Sequence, residues 1–461
     1  MNIYLETFGC QMNQLDSELV GGQFARRGCQ LVGEIDQADV VMINTCSVRD
    51  HAEQRVYARL WDEAHRRKAG ENRTVVVIGC MAQRLGETLR EDFPHVDVIC
   101  GPGQIHRLAE MVEQARAGAA QTALDPTRKQ ARDSQAEAAI DRMDLSRTPD
   151  AGDPTGQAYV RVMRGCNKFC TYCIVPHVRG PERSRRPEDI VAETQKLLHA
   201  GHTEITLLGQ TVNSYRHVAG ETTVHFSDLL GRVAELDGLK RLRFVTSYPT
   251  DFGNDILQAM RDLPNLCHYI HCPAQSGSDA VLARMNRRYS RAEYEDFVDR
   301  ARSIVPDVAL AGDFIVGFPG ETEEDHKASA ELIRYAGYKN SFVFKYSPRP
   351  GTRAAETLKD DVPENVKKRR NNELLDVQKQ VALEHHRQWV GRRVEVLVTG
   401  PSRLAGTDID TSPPGQTQLM GRTRGDHIVI FDGPESITGQ YVEVDLVDTQ
   451  PLTLFGRRVE D

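Results

Sequence analysis

The sequence predicts an α/β chain in three parts: an N-terminal parallel α/β domain, a central partial β/α barrel and a small all-β barrel. Three observations predict it. Short apolar runs alternate with amphipathic helical stretches through residues 1–117. The same alternation returns from 152 to about 360. From 390 onward, short strands follow one another with Gly and Pro turns and no helical pattern between them. At 461 residues the chain is also too long for one ordinary domain.

In the first part, "IYLETF", "DVVMINT", "TVVVIG" and "VDVIC" read as strands. Helices are expected near 14–28, 48–69, 82–92 and 104–117, which gives a small parallel sheet with crossovers. Residues 118–151 are polar, rich in Ala, Asp and Arg, and lack a sustained apolar face, so they read as a linker. The third segment, 152–387, holds six strand candidates: "AYVRVM", "EITLLG", "RLRFVTS", "CHYIHC", "VALAGDFIVG" and "SFVFKYS". Repeated β/α units of this kind form full or partial barrels. A highly charged helix closes the segment over 361–387. The last segment, 388–461, reads as a five-stranded barrel built on "RVEVLVTG", "QLMGRT", "HIVIFDG" and "QYVEVDLVD".

Net charge is −8, from 58 Lys and Arg against 66 Asp and Glu, so any nucleic-acid binding must rest on local basic patches. No apolar run is long enough to span a bilayer. "MNIYLETFGC" lacks the basic and apolar regions of a secretory signal, and a cytoplasmic location is expected. Ten cysteines in a chain of this size is too few for a disulfide scaffold, and clustered thiols in a reducing compartment hold metal or do chemistry.

Cys166, Cys170 and Cys173 are spaced C-x3-C-x2-C. The plain reading is half a zinc site or three buried thiols. A zinc pair wants a second pair some 15–20 residues on, and the next cysteine is Cys267. The alternative is a 4Fe–4S cluster with three thiolate ligands, leaving one iron open for a substrate or cofactor. The loop follows the strand "AYVRVM", which places it at the mouth where barrel enzymes do chemistry.

A second set lies upstream. Cys10, Cys46 and Cys80 each follow an apolar strand directly. In a parallel sheet these strand ends share the edge where ligands bind, so three cysteines far apart in sequence converge. Cys100, after "VDVIC", competes for the same role. Cys29, Cys267 and Cys272 stand outside both patterns and read as small buried residues.

The C-x3-C-x2-C loop after the first barrel strand resembles the radical S-adenosylmethionine (SAM) superfamily. With "TFGCQMNQLDSE", "INTCSVR", "RGCNKFCTYCIVPHVRG", "FIVGFPGETEED" and "YSPRPGT", nearly the whole chain resembles the methylthiotransferase family of radical SAM enzymes. The resemblance implies a radical SAM barrel, an auxiliary cluster in the N-terminal domain and a C-terminal TRAM domain that binds RNA. It implies two 4Fe–4S clusters and SAM as cofactors. Cys166, Cys170 and Cys173 would hold one cluster, and Cys10, Cys46 and Cys80 the other. Gly209, Gln210, Ser247, Gln275, Ser276, Ser278, Gly317 and Glu321 stand at strand ends where the superfamily contacts SAM.

The implied reaction places a methylthio group on carbon 2 of N6-isopentenyladenosine beside the anticodon. Two near relatives of that reaction act on threonylcarbamoyladenosine or on a ribosomal-protein aspartate. A different class would be a non-catalytic RNA-binding protein with structural metal. Expected partners are a tRNA anticodon stem-loop, SAM and an electron donor such as a flavodoxin or ferredoxin, with the chain a monomer. Lys367, Lys368, Arg369, Arg370, Arg392, Arg393, Arg422 and Arg424 are candidates to track phosphates, as are Arg179, Arg183, Arg185 and Arg186.

Overall fold

The computed structural model describes residues 1–47, 50–126, 134–147, 155–406, 413 and 415–459. The first apolar runs become strands Asn2–Thr7, Val40–Thr45, Thr74–Gly79 and Val96–Cys100 of one parallel sheet. The two inner strands are buried along their whole length, which explains why they read as unbroken apolar runs. Gln30–Leu31 adds one edge and Gln121–Ala123 the other. The order places Asn2–Thr7 between Gln30–Leu31 and Val40–Thr45. The crossover direction therefore reverses between Asn2–Thr7 and Val40–Thr45, and open α/β sheets bind ligands outside the strand ends at such a point.

All six strands expected in the central segment form. Gln157–Arg161, Glu204–Leu208 and Arg241–Val245 pair in parallel, as do Tyr269–His271, Ala309–Val316 and Asn340–Lys345. The two halves join through Cys267 N to Leu242 O and Ser247 N to His271 O, each 2.9 Å. Among the described residues nothing pairs Gln157–Arg161 with Asn340–Lys345, so the barrel is open on one side. The long helix Glu364–Arg387 covers the outside of the last strand: Ser341 Oγ donates to Gln378 Oε1 at 2.7 Å. The C-terminal segment is a closed five-stranded barrel of Arg393–Pro401, Thr417–Arg422, Ile428–Gly433, Tyr441–Gln450 and Thr453–Arg458.

The linker reading of 118–151 needs correction. Gln121–Ala123 is the sixth strand of the N-terminal sheet, and Ser134–Ser146 is a helix. Residues 127–133 and 148–151 lie outside the described residues. The helix has a short apolar face, with Ala136, Ile140 and Met143 buried at helical spacing. Its charged residues are what bury it: Asp144 is fully buried and accepts from Arg161 Nη2 at 2.6 Å and Arg164 Nη2 at 2.8 Å. Composition alone reads such a segment as solvated, because ion pairing with a distant strand leaves no periodic signature.

The small barrel docks on the N-terminal ends of the central strands, opposite the cysteine loop. Arg241 donates to Arg422 O and Glu395 O, and Arg243 to Arg424 O and Thr423 O, at 2.7–3.0 Å. Lys339 pairs with Asp426 at 2.8 Å, and Arg424 Nη2 donates to Pro264 O and Leu266 O. Among the described residues no helix is long and apolar enough to cross a membrane.

Candidate active site

The three N-terminal cysteines meet as their strand ends require. Cys10 caps the helix Gln11–Ala25, Cys46 follows Val40–Thr45, and Cys80 opens the helix Cys80–Leu85. Asn13 ties the ends together: Nδ2 donates to Thr45 O at 2.7 Å and to Asn44 Oδ1 at 3.1 Å, and Cys10 Sγ donates to its Oδ1 at 3.4 Å. Gly9 is required there. Its φ is +152°, and a Cβ on it would lie 2.9 Å from Cys46 Cβ. Burial pushes the Cys80 thiol up to about 12, against the pull of Arg179, with Cys46 and Cys10 close enough to add to the rise.

The second set sits above the barrel mouth. Cys166 and Cys170 are buried and Cys173 half-buried. Gly165, at φ +72°, lets the chain turn against Pro181, whose carbonyl oxygen would stand 2.0 Å from any Cβ. Thr171 N donates to Met285 O at 3.0 Å, and Arg287 Nη1 donates to Cys170 Sγ at 3.3 Å. Arg287 also lies 4.6 Å over the Tyr248 ring and 4.9 Å over Tyr289. Burial pushes Cys166 up to about 11 and raises Cys173 further, with Cys170 beside both. Burial favours the protonated thiol, so metal binding would release these protons, and the neighbouring guanidinium groups offset part of that cost.

One short segment links the two sets. Cys80 packs against Ile174 and Val178, in the segment that starts just after Cys173. Arg179, at its end, hydrogen-bonds Cys80 and reaches Asn13 Oδ1 at 3.2 Å and Asp16 Oδ2 at 2.9 Å. Asp16 also accepts from Arg161 Nη1 at 2.7 Å, so a buried ion network pins the N-terminal domain to the first barrel strand and to the helix Ser134–Ser146.

Two sets of three thiols, with no fourth cysteine beside either among the described residues, fit the donor set of iron–sulfur clusters with one iron left open. Cluster thiolates bind separate irons and need not converge on a point. Cys100 is buried in the sheet core with Val98 and Ala123, and its Sγ lies 3.5 Å from Gly101 O.

The residues expected around SAM divide into two groups. Gln210 Oε1, Ser247 Oγ and Glu321 Oε1 are buried atoms with no hydrogen-bond partner, the usual mark of a polar ligand or water not shown. Gly209 is where close packing demands it: a Cβ would lie 2.6 Å from Met163 Cγ. Gln275 is held in a left-handed conformation, φ +71°. Ser276 instead meets Ser329 Oγ at 3.3 Å, and Ser278 caps the helix Asp279–Arg284. Glu321 Oε2 accepts from Gly317 N at 2.6 Å and Arg370 Nη1 at 2.8 Å. Sequence reasoning missed Arg287, which comes near Cys170 only through the fold, and gave no role to Asn13 and Asp16, although both lie in the stretch "TFGCQMNQLDSE" beside Cys10.

The basic candidates need correction as well. Lys367 and Arg370 are buried, paired with Asp360 and with Glu321 and Glu323. Arg179 and Arg185 serve the internal ion network, and Arg422 and Arg424 serve the barrel junction. Arg183 pairs with Asp141, Arg369 with Glu323 and Glu373, and Arg393 with Asp445. Lys368, Arg186 and Arg392 remain exposed. Lys367, Arg370, Arg179, Arg185, Arg422 and Arg424 are thus taken up inside the fold, while Arg369 and Arg393 stay half-exposed in surface pairs.

Residues 2–101 match the family described as Uncharacterized protein family UPF0004, 160–333 the Radical SAM superfamily and 387–459 the TRAM domain. Over 457 residues the chain is 44% identical to a tRNA-2-methylthio-N(6)-dimethylallyladenosine synthase of Rhodopirellula baltica, covering 99% of this chain and 95% of the relative. The synthase of the same name from Clostridium botulinum strain Loch Maree is 40% identical over 458 residues, 99% of this chain and 96% of the relative. The chain belongs to this synthase family of radical SAM enzymes. Membership accounts for the order of its three parts. Among solved structures, a radical SAM methyltransferase, TsrM from Kitasatospora setae, with cobalamin and a 4Fe–4S cluster bound, aligns with a TM-score of 0.53. Identity is 12% and 77% of each chain is covered, so that likeness concerns the fold.

Proposed function

We propose that the chain is a tRNA methylthiotransferase that replaces the carbon 2 hydrogen of N6-isopentenyladenosine, beside the anticodon, with a methylthio group. The observation that carries the reading is that the segment leaving Cys173 packs on Cys80 through Ile174 and Val178 and reaches Asn13, beside Cys10, through Arg179, which ties the two three-cysteine sets together. The family synthases named for this product, matched over nearly the full chain, point the same way. In this reading Cys166, Cys170 and Cys173 hold one 4Fe–4S cluster and Cys10, Cys46 and Cys80 a second, each leaving one iron open. With SAM, such a cluster supplies a radical able to take hydrogen from an unactivated C–H bond, which no acid or base does at neutral pH.

The chain's own residues bind and orient. Arg287 donates to Cys170 and Arg179 stands beside Cys80, so each thiolate set has a cation against it. Gln210 and Ser247 offer unpaired polar atoms to SAM at adjacent strand ends. The N-terminal domain, fixed by Arg161 and Arg179, closes one side of the mouth and limits water. The target base enters unstacked from a loop, as bases acted on by enzymes do. A flavodoxin or ferredoxin supplies the electron, and the chain works as a cytoplasmic monomer. Nucleoside mass spectrometry of tRNA from cells lacking the protein tests the reading. Isopentenyladenosine should accumulate and its methylthio form vanish; an unchanged nucleoside profile would refute it.

A further inference from the structure

The inner face of the last three barrel strands is half-open, and the site described so far uses none of it. Register fixes which residues share that face. Asp313 stands opposite Phe342 and Ile315 opposite Phe344 in the parallel pairing of Ala309–Val316 with Asn340–Lys345. Leu310, Phe314 and Val316 alternate with them and sit in the core under the helices. Ser341 and Val343 likewise turn outward, to Gln378 and the core beneath the helix Glu364–Arg387. Strand alternation therefore points Phe342 and Phe344 inward. Phe342 is nonetheless 49% exposed. The two rings stack at 6.2 Å with 19° between their planes.

The wall has a polar border and a known neighbour. His271 Nε2 and Asp313 Oδ1 lie 3.3 Å apart on the same face, both half-buried. Ile315 packs with the group that contains Phe318 and Tyr172, and Tyr172 belongs to the cysteine loop. An apolar, aromatic surface beside the reactive mouth, on the open side of the barrel, is a place for an apolar substituent of the substrate. A hydrocarbon chain on the target base is the ligand chemistry it fits. The pair His271–Asp313, next to it, offers hydrogen bonds to a ring edge.

The geometry points to Phe342 and Phe344 as the residues that receive the isopentenyl group and select prenylated over unmodified adenosine. This rests on the proposed function. The test uses full-length reconstituted protein under anaerobic conditions, with one anticodon stem-loop RNA prepared with and without the isopentenyl group. Affinity for each RNA and the KM for SAM are measured for wild type, the double variant Phe342→Ala with Phe344→Ala, and Phe342→Ser alone. The serine variant guards against a folding defect, since its position is half-exposed.

Wild type should methylthiolate the prenylated RNA and bind it in preference. The double variant should lose about tenfold of that preference and Phe342→Ser a smaller part, with affinity for the unmodified RNA little changed. A preference kept by both variants would overturn the inference while leaving the proposed function standing. A rise in the KM for SAM that matches the loss of RNA affinity would assign the wall to SAM and overturn it as well. Wild type that leaves the prenylated RNA unmodified would overturn the proposed function and this inference with it.

Discussion

Arg161 is 1% exposed and holds two carboxylates from two other parts of the chain, Asp16 and Asp144. Arg161→Ala leaves both buried and partly unpaired, which typically costs about 3–5 kcal/mol. The denaturation midpoint of the full protein should fall accordingly, and a shift worth under about 1 kcal/mol would contradict the network's role. The same network sets an acid limit. Burial works to raise the Asp144 carboxyl, but Arg161, Arg185 and Arg164 outweigh it and hold it well below its ordinary range. A depressed carboxylate stabilises above its unfolded value of about 3.9, and that stability is lost as pH falls further. Arg287 bears on the cysteines directly. Hydrogen bonds to sulfur and nearby charge tune cluster potentials, so Arg287→Ala should make the potential of the barrel cluster more negative in an anaerobic redox titration. An unchanged potential would show that its contact with Cys170 does not persist in the loaded protein.

The strands were legible at the scale of elements because their apolar runs are fully buried and end at turn residues, as in "DVVMINT" and "TVVVIG". The cysteines were legible because each follows such a run. The helix Ser134–Ser146 was not, since what holds Asp141 and Asp144 is arginines on strands 17 or more residues away. Equally hidden was the junction between the helix Glu364–Arg387 and the small barrel. His385 Nε2 lies 3.0 Å from His427 Nε2, and Trp389 packs 4.6 Å from the His427 ring. Burial, with neighbouring His386 and Lys339 adding to it, lowers His385 to about 4, and burial with Lys339 lowers His386 to about 4. Here the unfolded state binds more protons than the folded one between about 6.5 and 4. The junction's stability is therefore present above pH 6.5 and lost as pH falls through that window. The chain has two tryptophans, Trp61 and Trp389. In a Trp61→Phe variant the remaining fluorescence should report the junction loosening across this range, and a flat signal down to pH 4 would contradict it.

For the molecule as a whole, the small barrel is built into the fold and not merely tethered to it. It satisfies Arg241, Arg243 and Lys339 at the base of the central strands. Removing residues 388–461 strands these buried cations, so truncation should lower the unfolding midpoint of the remaining chain; an unchanged midpoint would make the junction dispensable. The two-cluster account is tested by iron content: about eight irons per chain in protein purified without oxygen, and about four when Cys166, Cys170 and Cys173 are all changed to Ala. Full iron in that variant would remove the barrel assignment. The most direct test of the central claim is product analysis. Reconstituted protein, SAM, a reductant and a prenylated anticodon stem-loop are combined without oxygen, and the RNA nucleosides are read by mass spectrometry. The account predicts a methylthio group in place of one hydrogen on the prenylated adenosine with wild type. With Cys10→Ala it predicts none, although SAM is still cleaved to 5′-deoxyadenosine. Methylthiolated product from Cys10→Ala at the wild-type level would contradict it.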